Sequence, residues 1–195
     1  MSKKNYISLA NKAANIQIKE LKKIKKIFNK SFINAVDHIL NCKGKIIFAG
    51  IGKSGLIARK ISATFSSVGI PSFFCDPAQA LHGDMGQIEK KDLLIIFSYS
   101  GNTSELTNML KYANRYRIKI IGVASKPDSI LLKASDIKLI IPKVKEADVT
   151  GMVPTTSTTI TLLLGDCLAT TVMHQKKFSK EKFKVFHPGG NIGKS

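Results

Sequence analysis

Leu93-Leu94-Ile95-Ile96-Phe97-Ser98-Tyr99-Ser100-Gly101-Asn102-Thr103-Ser104-Glu105 decides how the rest of the chain is read. Its first five residues form a continuous apolar run, the pattern of a strand buried on both faces. Beyond Glu105, Leu106, Met109, Leu110 and Ala113 recur at helical spacing. A run of hydroxyl residues with one glycine therefore stands between the end of a buried strand and the start of a helix. Unpaired backbone N–H groups and the positive end of a helix dipole collect there and favour an anion. Ser98, Ser100, Thr103 and Ser104 add hydroxyl donors, and Gly101 lets the backbone approach a ligand closely. Asn102 and Glu105 also fit a capping box, with Asn102 as N-cap and Glu105 at the third helical position. Capping by itself needs a single hydroxyl.

The flanking sequence repeats the strand–helix pattern. Apolar positions at helical spacing from residue 5 to residue 41 predict one long amphipathic helix or two, basic on the outside. Strands follow at 45–49, 72–74, 93–97, 119–123 and 137–141, with helices at 56–68, 103–117 and 157–175 and a helical turn at 129–134. Strands alternating with helices predict a three-layer α/β fold: an open, parallel, five-stranded sheet covered by helices on both faces. In a flavodoxin-like strand order the ligand sits at the carboxyl ends of the strands, near the switch point. The loops after the first and third strands then lie side by side.

The totals narrow the class. A chain of 195 residues fits one domain with a full core. The formal net charge of +18 raises a nucleic-acid or membrane-surface partner. Against both, the only arginines are Arg59, Arg115 and Arg117, and the lysines are scattered, so no nucleic-acid or membrane partner is expected. Cys42, Cys75 and Cys167 are far apart and odd in number, which predicts neither a disulfide framework nor a zinc ribbon and fits a reducing cytoplasm. The N-terminus has no apolar run of the signal-peptide kind. The most apolar stretch, 160–173, is interrupted by Gly165-Asp166 and is too short to span a bilayer.

Gly50-Ile51-Gly52-Lys53-Ser54-Gly55 follows the first strand and matches the spacing of a dinucleotide fingerprint, with Asp76 near the end of the second strand as a ribose partner. Three points weaken that reading: Lys53-Ser54 is unusual in a pyrophosphate turn, the chain has no room for a separate substrate domain, and a dinucleotide does not need the second anion loop. A Walker A loop fails because Ile47 stands where its first glycine belongs. Two phosphate-type loops at neighbouring strand ends instead suggest a small phosphorylated ligand, with Lys53 as a point charge. His82 lies in the polar loop Leu81-His82-Gly83-Asp84, where a surface or structural role competes with a functional one. His187 lies in Phe186-His187-Pro188-Gly189-Gly190-Asn191-Ile192-Gly193, a chain end shaped by backbone geometry. Glu146 follows the last strand, and Pro154-Thr155-Thr156-Ser157-Thr158-Thr159 caps the last helix and can add hydroxyls.

Together, Gly50-Ile51-Gly52-Lys53-Ser54-Gly55, Leu81-His82-Gly83-Asp84, Ser98-Tyr99-Ser100-Gly101, the Pro154 hydroxyl run with Gly165-Asp166, and His187-Pro188-Gly189-Gly190 resemble the sugar isomerase (SIS) domain over residues 45–194. Within it they are most similar to the arabinose 5-phosphate isomerases. That resemblance implies an aldose–ketose isomerase linking ribulose 5-phosphate and arabinose 5-phosphate on the route to the envelope sugar Kdo. It implies a phosphorylated pentose substrate, no cofactor and a homotetramer whose sites can be shared between subunits. Lys53, Glu105, Glu146 and His187 fall on the family's catalytic positions. Gly52, Ser54, His82, Ser98, Ser100, Gly101, Asn102 and Thr103 fall on its substrate-binding positions. Asp76 replaces a histidine associated with metal binding, so no metal is expected. Asp148-Val149 replaces a common Cys-Pro. The division implied is a helical segment at 1–44 and a SIS domain at 45–195, in a short form without CBS domains. The alternatives are a non-catalytic sugar-phosphate-binding regulator and an isomerase of another phosphosugar.

Overall fold

A computed structural model of the chain describes residues 3–189. Five parallel strands form one sheet in the order β2-β1-β3-β4-β5. They are β1 (Ile46–Gly50), β2 (Ser72–Cys75), β3 (Leu93–Phe97), β4 (Lys119–Ala124) and β5 (Ile137–Ile140). The expected flavodoxin-like order is therefore present. Consecutive residues of β1 and β3 face opposite layers. Phe48, Ile95 and Phe97 point into one core with α2 (Lys30–Asn41), α3 (Gly52–Ser67) and α7 (Thr156–Gln175). Ile47, Leu94 and Ile96 point into the other, with α4 (Pro77–Ala80), α5 (Leu106–Arg115) and α6 (Ile130–Ala134). Both cores close on buried side chains, which is why β1 and β3 read as unbroken apolar runs. β5 alternates buried Ile137 and Leu139 with exposed Lys138 and Ile140, as an edge strand does.

The leading segment divides into α1 (Lys3–Leu21), a 3-10 segment (Lys22–Ile27) and α2. The break comes at Lys25-Lys26-Ile27-Phe28-Asn29. There Asn29 leaves the helical region and caps α2 by accepting the N–H of Ser31 at 2.9 Å. The lysine-rich stretch after α7 holds one more helix, α8 (Lys180–Phe186), capped by Ser179. Phe178 and Phe186 pack over Gly69, at the turn after α3. The last residues of the His187-Pro188-Gly189-Gly190 motif and beyond, Gly190, Asn191, Ile192 and Gly193, lie outside the described residues.

The capping box expected at Asn102 and Glu105 is not formed. α5 begins at Leu106, with Glu105 at its N-cap in helical conformation and without a side-chain cap bond. Asn102 turns to the neighbouring loop instead, where its Oδ1 accepts the N–H of Ile130 at 3.0 Å. A tertiary tie between the β3–α5 and β4–α6 loops replaces the local cap.

Candidate functional site

The loops after β1, β3 and β5 meet over the carboxyl ends of the strands and enclose a cavity of about 570 Å³. That volume suits a small ligand, and the position is the switch point between β1 and β3. The first turn of α3 supplies Lys53 and Ser54, the β3–α5 loop Ser98, Tyr99, Ser100 and Thr103, and the β5–α7 strap Lys143 and Glu146. Its charged wall groups are Lys53, Lys143 and Glu146.

The β1–α3 turn is tight because Gly55 abuts the carbonyl of Gly50, which a Cβ would approach to 2.6 Å. Close packing thus accounts for two of the three fingerprint glycines without a dinucleotide. The β3–α5 loop is ordered by its own hydroxyls. Ser98 Oγ, buried, lies 2.8 Å from Thr103 Oγ1 and accepts the N–H of Gly101 at 3.0 Å. Gly101 has φ +70 and lies against Ser129, whose Oγ a Cβ would approach to 2.2 Å.

Glu146 is held at the head of α7. Its Oε2 accepts the N–H of Thr155 at 2.9 Å, the hydroxyl of Thr155 at 3.0 Å and the N–H of Ser157 at 3.2 Å. Thr155 occupies the N-cap position without a side-chain cap bond of its own, so the cap comes from Glu146, nine residues upstream. Burial alone would raise the Glu146 carboxyl. The bonds from Ser157 and Thr155 outweigh it, and the group is held below the usual glutamate range. Glu146 is therefore ionised at neutral pH, and Oε1 takes no part in the cap. Burial, with Glu146 nearby, pushes the Tyr99 phenol up, so it keeps its proton.

The cavity thus gathers Lys53, Ser54, Ser98, Ser100, Thr103 and Glu146, and from the Pro154 hydroxyl run Pro154, Ser157 and Thr158. Gly52, Gly101 and Asn102 sit in the same turns but do not line it. Glu105 is exposed, and its carboxylate accepts the Ser104 hydroxyl at 2.8 Å. Its own backbone N–H, together with that bond, holds it below the usual range. His82 is exposed beyond α4 and does not line the cavity. Asp76 caps α4, accepting the N–H of Ala78 at 2.9 Å. His187 stacks on Phe183 at 3.8 Å, with Nδ1 2.9 Å from the Phe183 carbonyl. Its helix lies by Gly69, at the far end of α3 from Lys53, so in one protomer His187 and the cavity are at opposite ends of the sheet.

Tyr99, Lys143 and Met152 line the cavity and had no assigned role in the sequence. Tyr99 stood inside the quoted hydroxyl stretch, so its position was visible. Lys143 and Met152 lie on an irregular strap, whose path no periodicity reveals.

Fold and cavity define a doubly wound α/β protein with a cavity at the switch point between two anion-favouring turns. The sequence matches the SIS domain over residues 39–171, and the chain belongs to that family. It is 40% identical over 174 residues to arabinose 5-phosphate isomerase KdsD of Escherichia coli, covering 89% of this chain and 53% of that one. It is 42% identical over 189 residues to a Rickettsia prowazekii protein described as uncharacterized, covering 97% of this chain and 59% of that one. The chain spans a little over half the length of these curated relatives. Among solved structures, an Escherichia coli protein in complex with arabinose 5-phosphate superposes with a TM-score of 0.93 at 34% identity, covering 96% of this chain and all of that one. Among the described residues, no helix is long and apolar enough to cross a membrane.

Proposed function

We propose that this chain is an aldose–ketose isomerase that interconverts D-ribulose 5-phosphate and D-arabinose 5-phosphate through an enediol. One observation carries the proposal: a lysine, a ring of hydroxyls and an ionised glutamate share a single cavity of phosphosugar size. The likeness to the arabinose 5-phosphate isomerases and to the complex with that sugar supports the choice of substrate.

The chemistry assigns each group a task. Ser54, Ser98, Ser100 and Thr103, at the ends of β1 and β3, hold the phosphate. Lys53 polarises the substrate carbonyl and stabilises the enediolate as negative charge develops on its oxygen. A carboxylate or imidazole takes the proton from C1 of the ketose and returns it to C2, while a proton passes from O1 to O2 of the enediolate; Glu146 and His187 are the candidates for these transfers. His82 contacts the sugar or helps open its ring, and Glu105 supports the β3–α5 loop. His187 reaches a cavity only from a neighbouring subunit, in keeping with a homotetramer that shares its sites. The reaction as proposed uses no cofactor or metal. The pathway is Kdo formation for lipopolysaccharide or capsule, in the cytoplasm, and the working unit is the SIS domain at 45–195 behind the helical segment 1–44.

Calorimetric titration tests the ligand class. Arabinose 5-phosphate should bind and NAD should not. Binding of NAD in place of the sugar phosphate would contradict the proposal. Phosphosugar binding without any turnover would replace the isomerase by a sensor.

A further inference from the structure

The strap between β5 and α7 brings Lys143 and Glu146 to the cavity, yet residues 141–146 belong to no helix or strand. Three consecutive residues of it are fixed by side chains from elsewhere. Lys23 Nζ donates to the carbonyl of Lys143 at 3.3 Å. Tyr99 Oη accepts the N–H of Val144 at 2.9 Å. Glu20 Oε2 accepts the N–H of Lys145 at 2.9 Å and is paired with Lys23 at 2.5 Å.

Glu20 lies in the last turn of α1 and is only 8% exposed, an unusual place for a carboxylate. The Lys23 ammonium and the Lys145 N–H hold it ionised, below the usual glutamate range. One turn earlier, Gln17 Oε1 lies 3.0 Å from the Thr159 hydroxyl, in the first turn of α7. α1 therefore touches both ends of the segment that carries Glu146: the strap before it and the helix that it caps. A buried carboxylate loses hydration, and partners recover that loss only where the geometry is fixed. Here the fixed element is a wall of the cavity.

We propose that Glu20 is a positioning residue of the site. Through the N–H of Lys145 it sets where the strap presents Lys143 and Glu146 to the ligand, so the leading helix is part of the functional apparatus. The kinetic part of this proposal rests on the isomerase assignment; the structural part does not.

The test compares the wild-type chain with Glu20→Ala and Glu20→Gln. The readouts are amide hydrogen exchange across residues 143–146, affinity for arabinose 5-phosphate, and kcat and KM for ribulose 5-phosphate. Glu20→Ala should speed exchange of the strap amides about tenfold and lower kcat about tenfold or more, with a smaller change in KM. Glu20→Gln keeps an acceptor for Lys145 and should restore most of both. Unchanged strap exchange in Glu20→Ala would overturn the proposal, as would faster exchange with unchanged affinity and kcat. Equal impairment of the two variants would overturn the Lys145 contact as the one that matters. If Glu20→Ala does not fold, Lys23→Ala removes the tie to the Lys143 carbonyl, and the same readouts decide. If the wild-type chain turns over no ribulose 5-phosphate, the isomerase assignment falls on its own. Strap exchange and sugar-phosphate affinity then judge Glu20.

Discussion

Glu146 caps α7 from upstream: its Oε2 lies 2.9 Å from the backbone N–H of Thr155, the N-cap residue nine positions on. The same carboxylate lines the cavity, so its structural and chemical roles can be separated by substitution. Glu146→Gln keeps an acceptor for the cap and loses the charge. It should lower kcat by about 100- to 10,000-fold and lower the thermal midpoint less than Glu146→Ala does. Glu146→Ala also loses the cap and should cost a further ~1–2 kcal/mol of stability. Near-normal turnover in Glu146→Gln would remove Glu146 from the proton path. Steady-state kinetics and thermal unfolding on the two variants read both effects.

The lowered Glu146 carboxyl also gives stability a pH dependence. The folded chain binds this proton more weakly than the unfolded chain, whose glutamate titrates near 4.5. Its contribution is complete above that value and is lost as the pH falls through the lower, folded value. The difference in thermal midpoint between wild type and Glu146→Gln should therefore be constant above about pH 6 and change only below about pH 5. Unfolding scans across that range check it.

Gly101 tests the β3–α5 loop. Alanine there must adopt φ +70 and bring a Cβ within 2.2 Å of Ser129 Oγ. Gly101→Ala should lose ~2–4 kcal/mol, and affinity for the sugar phosphate should fall with it. A folded variant with wild-type affinity would show that the hydroxyl ring around Ser98 does not hold the ligand.

His187 and Lys53 stand at opposite ends of one protomer. If the working site is shared between subunits, Lys53→Ala and His187→Ala should each be inactive alone. Chains of the two variants, refolded together, should recover turnover that neither parent shows. No recovery, with assembly confirmed by light scattering, would place His187 outside the site.

Much of this was legible in the sequence because the signals are local. β1 and β3 are bounded apolar runs, and the hydroxyl stretch at Ser98 follows one of them directly. The parallel sheet covered on both faces followed from alternation of strands and helices, and the flavodoxin-like order expected for it is the one formed. What escaped depends on long-range contacts. Asn102 reads as a cap, but Ile130, 28 residues on, claims its side chain. Lys143 sits on a strap whose path is set by Glu20, 125 residues from its Lys145 partner. His187 matches a motif, and the motif does not say that its helix lies by Gly69, away from the cavity.

The most direct measurement is turnover of ribulose 5-phosphate by the purified chain, following arabinose 5-phosphate formation with and without a chelator. Steady formation of arabinose 5-phosphate at the same rate in both is the result expected. No product, or product only when divalent metal is restored, would contradict metal-free isomerisation by Lys53 and Glu146 in this cavity.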